Sequence, residues 1–90
     1  MDFEWDPDKA DRNWQKHGVS FHEASTVFDD PLAITYFDPR HSDEEDRFLT
    51  FGHSASGHFL VVSHTDRDDR TRIISARQGT RKERKTYENE

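Results

Sequence analysis

Cysteine is absent from this chain, which excludes disulfides, thiolate metal ligands and cysteine nucleophiles and suits a reducing compartment. Long apolar runs are absent as well. The longest, Phe59 to Val62, falls far short of the roughly 20 residues that a membrane helix needs. The opening Met-Asp-Phe-Glu-Trp has no basic stretch followed by an apolar one, so no secretory signal is expected and a cytoplasmic, membrane-free protein is. Hydrophobic residues are scarce at 30%, against 36% charged, and 90 residues do not divide into two cores. One lean domain is expected, with aromatic residues at 12% supplying large buried areas. A partner that covered apolar surface would stabilise it further by mass action.

The net charge is −6, which on its own argues against a nucleic-acid partner, but the charge is unevenly placed. Residues 1–66 hold 5 Lys/Arg and 14 Asp/Glu, whereas residues 67–85 hold 8 Lys/Arg and 3 Asp/Glu. A basic patch keeps its own sign on an acidic protein, because salt confines each field to roughly 8 Å. A merely solvated charged tail would produce the same numbers, so the asymmetry by itself decides nothing.

Local patterns give an element order. Phe3-Glu4-Trp5 alternates as a short strand, and Asp6-Pro7 then reads as an N-cap and first helical turn. That helix presents Ala10, Trp14 and His17 and stops at Gly18. Ser20 to Glu23 has the form of a capping box opening a second helix, with Phe21, Ala24 and Phe28 on its buried face. Val19 before the cap is placed to meet Ala24, and Asp30-Pro31 ends the helix. Four strands follow at 32–37, 47–51, 59–65 and 71–76, with turns at Ser54–Gly57 and Asp68-Asp69 and an acidic loop over 38–46. A second capping box, Thr80 to Glu83, opens a last helix whose only large apolar residue is Tyr87. The order β-α-α-β-β-β-β-α predicts an α+β fold, with two helices packed on an antiparallel sheet and a basic C-terminal helix. Such a last helix either frays or rests on something outside its own pattern.

The chain resembles the BrnT toxins of bacterial type II toxin–antitoxin systems. The likeness is carried in order by Phe3-Glu4-Trp5-Asp6-Pro7, Lys16-His17-Gly18-Val19-Ser20-Phe21, Glu45-Asp46-Arg47 and Thr65-Asp66-Arg67-Asp68. Arg72-Ile73-Ile74-Ser75-Ala76-Arg77 and Thr80-Arg81-Lys82-Glu83-Arg84-Lys85-Thr86-Tyr87 complete it. The resemblance implies a RelE-like fold, cleavage of RNA without a metal or other cofactor, and inhibition of translation. It also implies a cognate ribbon-helix-helix antitoxin that binds operator DNA in the complex, with dimerisation there as an open option. Gln78-Gly79 departs from the more usual Lys-Ala, which puts one candidate phosphate contact in doubt and, by expectation, loosens the junction to the last helix.

Metal-free RNA cleavage must take a proton from the 2′-OH, stabilise charge on the phosphate and neutralise the leaving 5′-oxygen. Arginine suits the phosphate because its planar fork grips two oxygens, and histidine suits the proton near neutral pH. Arg67, Arg72, Arg77 and His64 are the candidate catalytic residues. Arg70, Arg81, Lys82, Arg84, Lys85 and Tyr87 are the candidate RNA contacts. With Asp68-Asp69 as a two-residue turn, Arg67 faces Arg70, Thr65 faces Arg72 and His64 faces Ile73. Arg67, Arg70 and Arg72 then crowd the turn, neutralised either by Asp66, Asp68 and Asp69 or by RNA. Strict alternation puts His64 and Arg77 on the opposite face from Arg72 unless a bulge intervenes.

Each candidate has a plain structural alternative. His64 lies among apolar residues and would serve as a core histidine, Arg77 would pair with a carboxylate, the helix cations would give solubility, and Tyr87 would pin its helix. Glu45 and Arg47 read as an edge ion pair, and Trp5, Trp14, Phe21 and Phe28 as core. His17, His22, His41, His53 and His58 fit no zinc spacing, so no metal site is expected. An endoribonuclease, a non-catalytic module that binds nucleic acid or antitoxin, and a pure interaction protein all remain open. The enzymatic mechanism requires the basic side chains to gather in one groove; guanidinium groups scattered and each tied to an acid would count against it.

Overall fold

The computed structural model describes residues 1–89. Its elements are β1 (Asp2–Glu4), α1 (Pro7–His17), α2 (Phe21–Thr26), β2 (Ile34–Phe37), β3 (Arg47–His53), β4 (Phe59–Arg67), β5 (Arg70–Gln78) and α3 (Arg81–Glu88), with short 3-10 turns at Val27–Asp29 and Pro39–His41. The expected order holds. The strands form one sheet in the order β1-β5-β4-β3-β2. Strands β2 to β5 are antiparallel, but β1 lies parallel to β5. The sheet is therefore mixed, because the chain leaves β1 through two helices and a three-hairpin meander before β5 returns beside it.

Local chemistry fixes the ends of these elements. The Asp6 carboxylate accepts from the Asp8 N–H at 2.8 Å, and Gly18 closes α1 at φ 67°, a left-handed conformation that glycine adopts without a Cβ penalty. Ser20 caps α2 by accepting from the Glu23 N–H at 3.0 Å. Glu23 does not return the bond to Ser20; its carboxylate takes the Ser54 hydroxyl at 2.7 Å and His58 Nδ1 at 2.6 Å, fastening the β3–β4 hairpin to α2. The turn into β5 has Asp68 at φ 54°, within what aspartate tolerates.

Two apolar clusters sandwich the sheet. Under α1 and α2 lie Val19, Phe21, Ala24, Val27, Leu60, Val62, Ile73 and Ala76. The other face holds Phe51, Phe59, Val61 and Tyr87 beneath α3. Trp14, expected in the core, is 59% exposed, and α1 points the buried Asn13 inward instead. Asn13 Nδ2 donates to the carbonyls of Val19 and Ala76 at 2.9 and 2.8 Å, and Oδ1 accepts from the Ala76 N–H at 3.0 Å. One amide thus ties α1, the α1–α2 junction and β5 together, satisfying groups that burial would otherwise strand.

The last helix neither frays nor relies on apolar side chains alone. Tyr87 packs on Phe59 and His53 and donates its hydroxyl to Asp30 at 2.7 Å. Thr80 and Glu83 form a full capping box. Gly79 tightens the junction it was expected to loosen: a Cβ there would sit 2.2 Å from the Phe59 ring. The missing side chain admits that ring, on which Arg84 also rests at 5.3 Å.

Candidate nucleic-acid interface

Pairing across β4 and β5 sets the functional face. Arg67 opposes Arg70, Thr65 opposes Arg72 and His64 opposes Ile73, but Ser63 then opposes Ser75. Ile74 is the extra residue of a bulge. Alternation restarts one residue late, so Arg77 pairs with Val61 on the face away from α1 and α2. Arg67, Arg70, Arg72 and Arg77 consequently share that face. Arg47, opposite Thr65 on β3, joins them.

His64 goes the other way. It is 6% exposed, its ring lies between Phe28 and Phe48, and its Nε2 meets the Thr50 hydroxyl at 2.7 Å. Burial pushes its pKa below the ordinary histidine value, outweighing the opposing charge of Asp66. His64 is a neutral core residue with the sheet between it and the arginines, so it is removed from the candidate catalytic set. Tyr87, 9% exposed and committed to Asp30, is likewise buried against the sheet and has no ring face free for a base.

Arg67, Arg70, Arg72 and Arg77 share a face, yet a carboxylate meets each of the four. Arg72 donates to Glu4 at 2.8 Å, with Arg70 4.0 Å from the same side chain. Arg67 lies 3.9 Å from Glu45. Arg77 grips Glu83 in a two-pronged pair at 2.8 and 2.9 Å. The neutralising acids are not the expected Asp66, Asp68 and Asp69 but residues that the fold brings from β1, the 38–46 loop and α3. On α3, Glu83, Arg84 and Tyr87 face the sheet, while Arg81, Lys82 and Lys85 are exposed with no carboxylate partner among the described residues.

Beside the 38–46 loop, over β3, β4 and β5, the same face sinks into a groove of about 280 Å³. Leu49 and Ile74 give it apolar surface, Ser63 and Ser75 hydroxyls, and Arg47 and Arg77 flank it. Asp38 and His41 form the rim, joined through Oδ2 and Nδ1 at 2.8 Å. Arg47 does not pair with Glu45, and its buried Nε has no hydrogen-bond partner among the described residues. Asp38, His41 and Arg47 thus belong to the site although sequence reasoning assigned none of them to it. Arg47 sits in the quoted Glu45-Asp46-Arg47 segment, a signal open to a different reading, whereas nothing local marks His41. Among the described residues no group of three or more His, Cys, Asp or Glu is arranged to hold a metal, and no helix is long and apolar enough to cross a membrane.

A sheet backed by α1 and α2 on one side, with α3 and guanidinium groups around a polar groove on the other, defines a small α+β domain with an arginine-lined face. A family model for the ribonuclease toxin BrnT of type II toxin–antitoxin systems matches residues 5–83, and the chain belongs to that family. The crystal structure of the Brucella abortus ribonuclease toxin BrnT superposes with a TM-score of 0.66 at 20% identity, over 90% of this chain and 99% of that one. That likeness establishes the shared fold. No curated protein matches this sequence.

Proposed function

We propose that this toxin cleaves single-stranded RNA without a metal, inhibits translation by doing so, and is neutralised by a cognate ribbon-helix-helix antitoxin. The observation that carries the cleavage reading is the convergence of Arg47 and Arg77 on one groove of the open face. Two guanidinium groups there supply the positive charge that a crowded phosphate needs in the transition state. Arg72, Arg70 and Arg67 extend the cationic track toward the β4–β5 turn. Arg81, Lys82, Arg84 and Lys85 extend it along α3, binding the strand backbone on either side of the groove. Substrate phosphate replaces Glu83 on Arg77, exchanging one two-pronged anion for another.

The acids that meet Arg67, Arg70, Arg72 and Arg77 favour a second reading, in which the face only binds RNA or antitoxin. The two separate on Arg77→Ala. For the enzyme, cleavage of a single-stranded RNA falls by about 100-fold or more, the scale of losing a preorganised charge contact, while circular dichroism stays native and melting drops only by the lost Arg77–Glu83 anchor of α3. For the binding module, antitoxin-free protein yields no cleavage products at all, with or without ribosomes. That result would end the catalytic reading.

A further inference from the structure

We propose that His41, positioned by Asp38, is the general base of the ribonuclease reaction, an inference that rests on the cleavage reading above. Three observations place it. His41 lines the groove that Arg47 and Arg77 flank, and with Arg47 it also lines an adjoining cleft formed by Arg40, Asp43, Glu44 and Glu45. It therefore stands where the two depressions meet, beside the guanidinium groups of Arg47 and Arg77. Its Nδ1 is taken by Asp38 at 2.8 Å, and its Nε2 has no partner among the described residues. A carboxylate on one ring nitrogen fixes the tautomer that leaves the other as a proton acceptor. Asp38 is itself held in place, accepting from the Arg40 N–H at 3.2 Å through its other oxygen and from the Ser42 hydroxyl at 2.5 Å through its carbonyl.

The chemistry balances with water alone. Nε2 of His41 takes the 2′-OH proton as the O2′–P bond forms and the P–O5′ bond breaks, leaving a 2′,3′-cyclic phosphate. The departing 5′-oxygen takes a proton from water, and the imidazolium returns one to solvent. Arg47 and Arg77 hold the phosphate oxygens while charge accumulates. His64, the histidine that the sequence offered for this role, is sealed beneath the sheet.

The charges around His41 are mixed. Asp38, Asp43, Glu44 and Glu45 line the groove and cleft beside it, and so do Arg40, Arg47 and Arg77. The rate should rise with pH across the range where an imidazole loses its proton. The test uses full-length, antitoxin-free toxin on a single-stranded RNA, with a 2′-deoxy version of the same strand as the binding probe. His41→Gln is expected to lower kcat by about 10²–10⁴-fold, the usual worth of a general base, and to remove the rising limb of the pH profile. KM and affinity for the deoxy strand should change little. Asp38→Asn, which keeps the N-capping oxygen, is expected to lower kcat less and to displace that limb. His41 is exposed, so its replacement leaves the core untouched; native melting checks this. Wild-type cleavage with an unchanged rate and pH profile in His41→Gln would overturn His41 alone. Absence of cleavage by the wild type would overturn the ribonuclease reading and this proposal together.

Discussion

At the scale of single residues, the polar side chains that matter most are those with several obligations. Asn13 satisfies two carbonyls and one N–H in the core, so Asn13→Ala leaves all three buried groups without partners. Each unsatisfied buried group costs about 1–3 kcal/mol. Since burial is shared and some relaxation follows, a loss of about 2–4 kcal/mol in urea unfolding is expected, with the denaturant slope unchanged. Such residues resist recognition in a sequence. Asn13 sits at a helical position that the periodicity of Ala10, Trp14 and His17 assigns to solvent, and its role appears only once Ala76, 63 residues away, is beside it. His41 was hidden for the same reason. A histidine in an acidic loop carries no pattern, and only the folded rim sets it by Asp38 and the groove.

At the scale of elements, caps and turns were legible because their chemistry is local. The Asp6 and Ser20 caps, the Gly18 stop, the Thr80–Glu83 box and the Asp68-Asp69 hairpin are all decided within a few residues. The parallel placement of β1 was not, since nothing within residues 2–4 distinguishes an edge strand's direction. The docking of α3 shows how an element with little apolar surface is held by charge. Arg77 lowers the Glu83 pKa from 4.5 to about 2, chiefly through its hydrogen bonds, with help from the Thr80 N–H and against the cost of burial. A carboxyl held below its unfolded value stabilises the fold fully above that value and stops doing so as pH falls through the folded one. Anchoring of α3 should therefore persist at neutral pH and weaken progressively between about pH 4.5 and 2. Glu83→Gln should remove that part of the acid dependence, measured as melting temperature against pH. Equal acid sensitivity in the variant would show that other carboxyls control it.

At the scale of the whole molecule, the proposed RNA strand would meet one basic face on an otherwise acidic protein with a net charge of −6. Among the described residues Arg81, Lys82 and Lys85 are exposed α3 cations with neither a carboxylate nor a ring partner, whereas exposed Arg84 rests on Phe59, so the three should dominate the salt dependence of binding. Replacing Lys82 and Lys85 together by Ala should flatten the log–log salt slope by about 1.4, at roughly 0.7 per phosphate contact on a single strand. Equilibrium binding of a 2′-deoxy strand across a range of salt concentrations would measure it. An unchanged slope would place the strand elsewhere. The overall α+β order and the concentration of basic residues near the carboxyl end were readable from the chain, because both follow from composition and period. How those cations are neutralised was not, because Glu4 and Glu45 reach Arg72 and Arg67 only through the sheet and the loop above it.

The irregular step at Ile74 has a consequence for how proteins of this shape can change. Were the step flattened with all nine residues kept, every side chain in 75–78 would swap sides: Arg77 would dive beneath α1, and Ala76 would surface in the groove, whereas deleting Ile74 would leave them in their present phase. The phase of β5 thus carries functional information that no individual residue holds. A strand of unchanged length that lost the bulge, with every arginine still present in the sequence, would be expected to lose both its packing and its grip on phosphate.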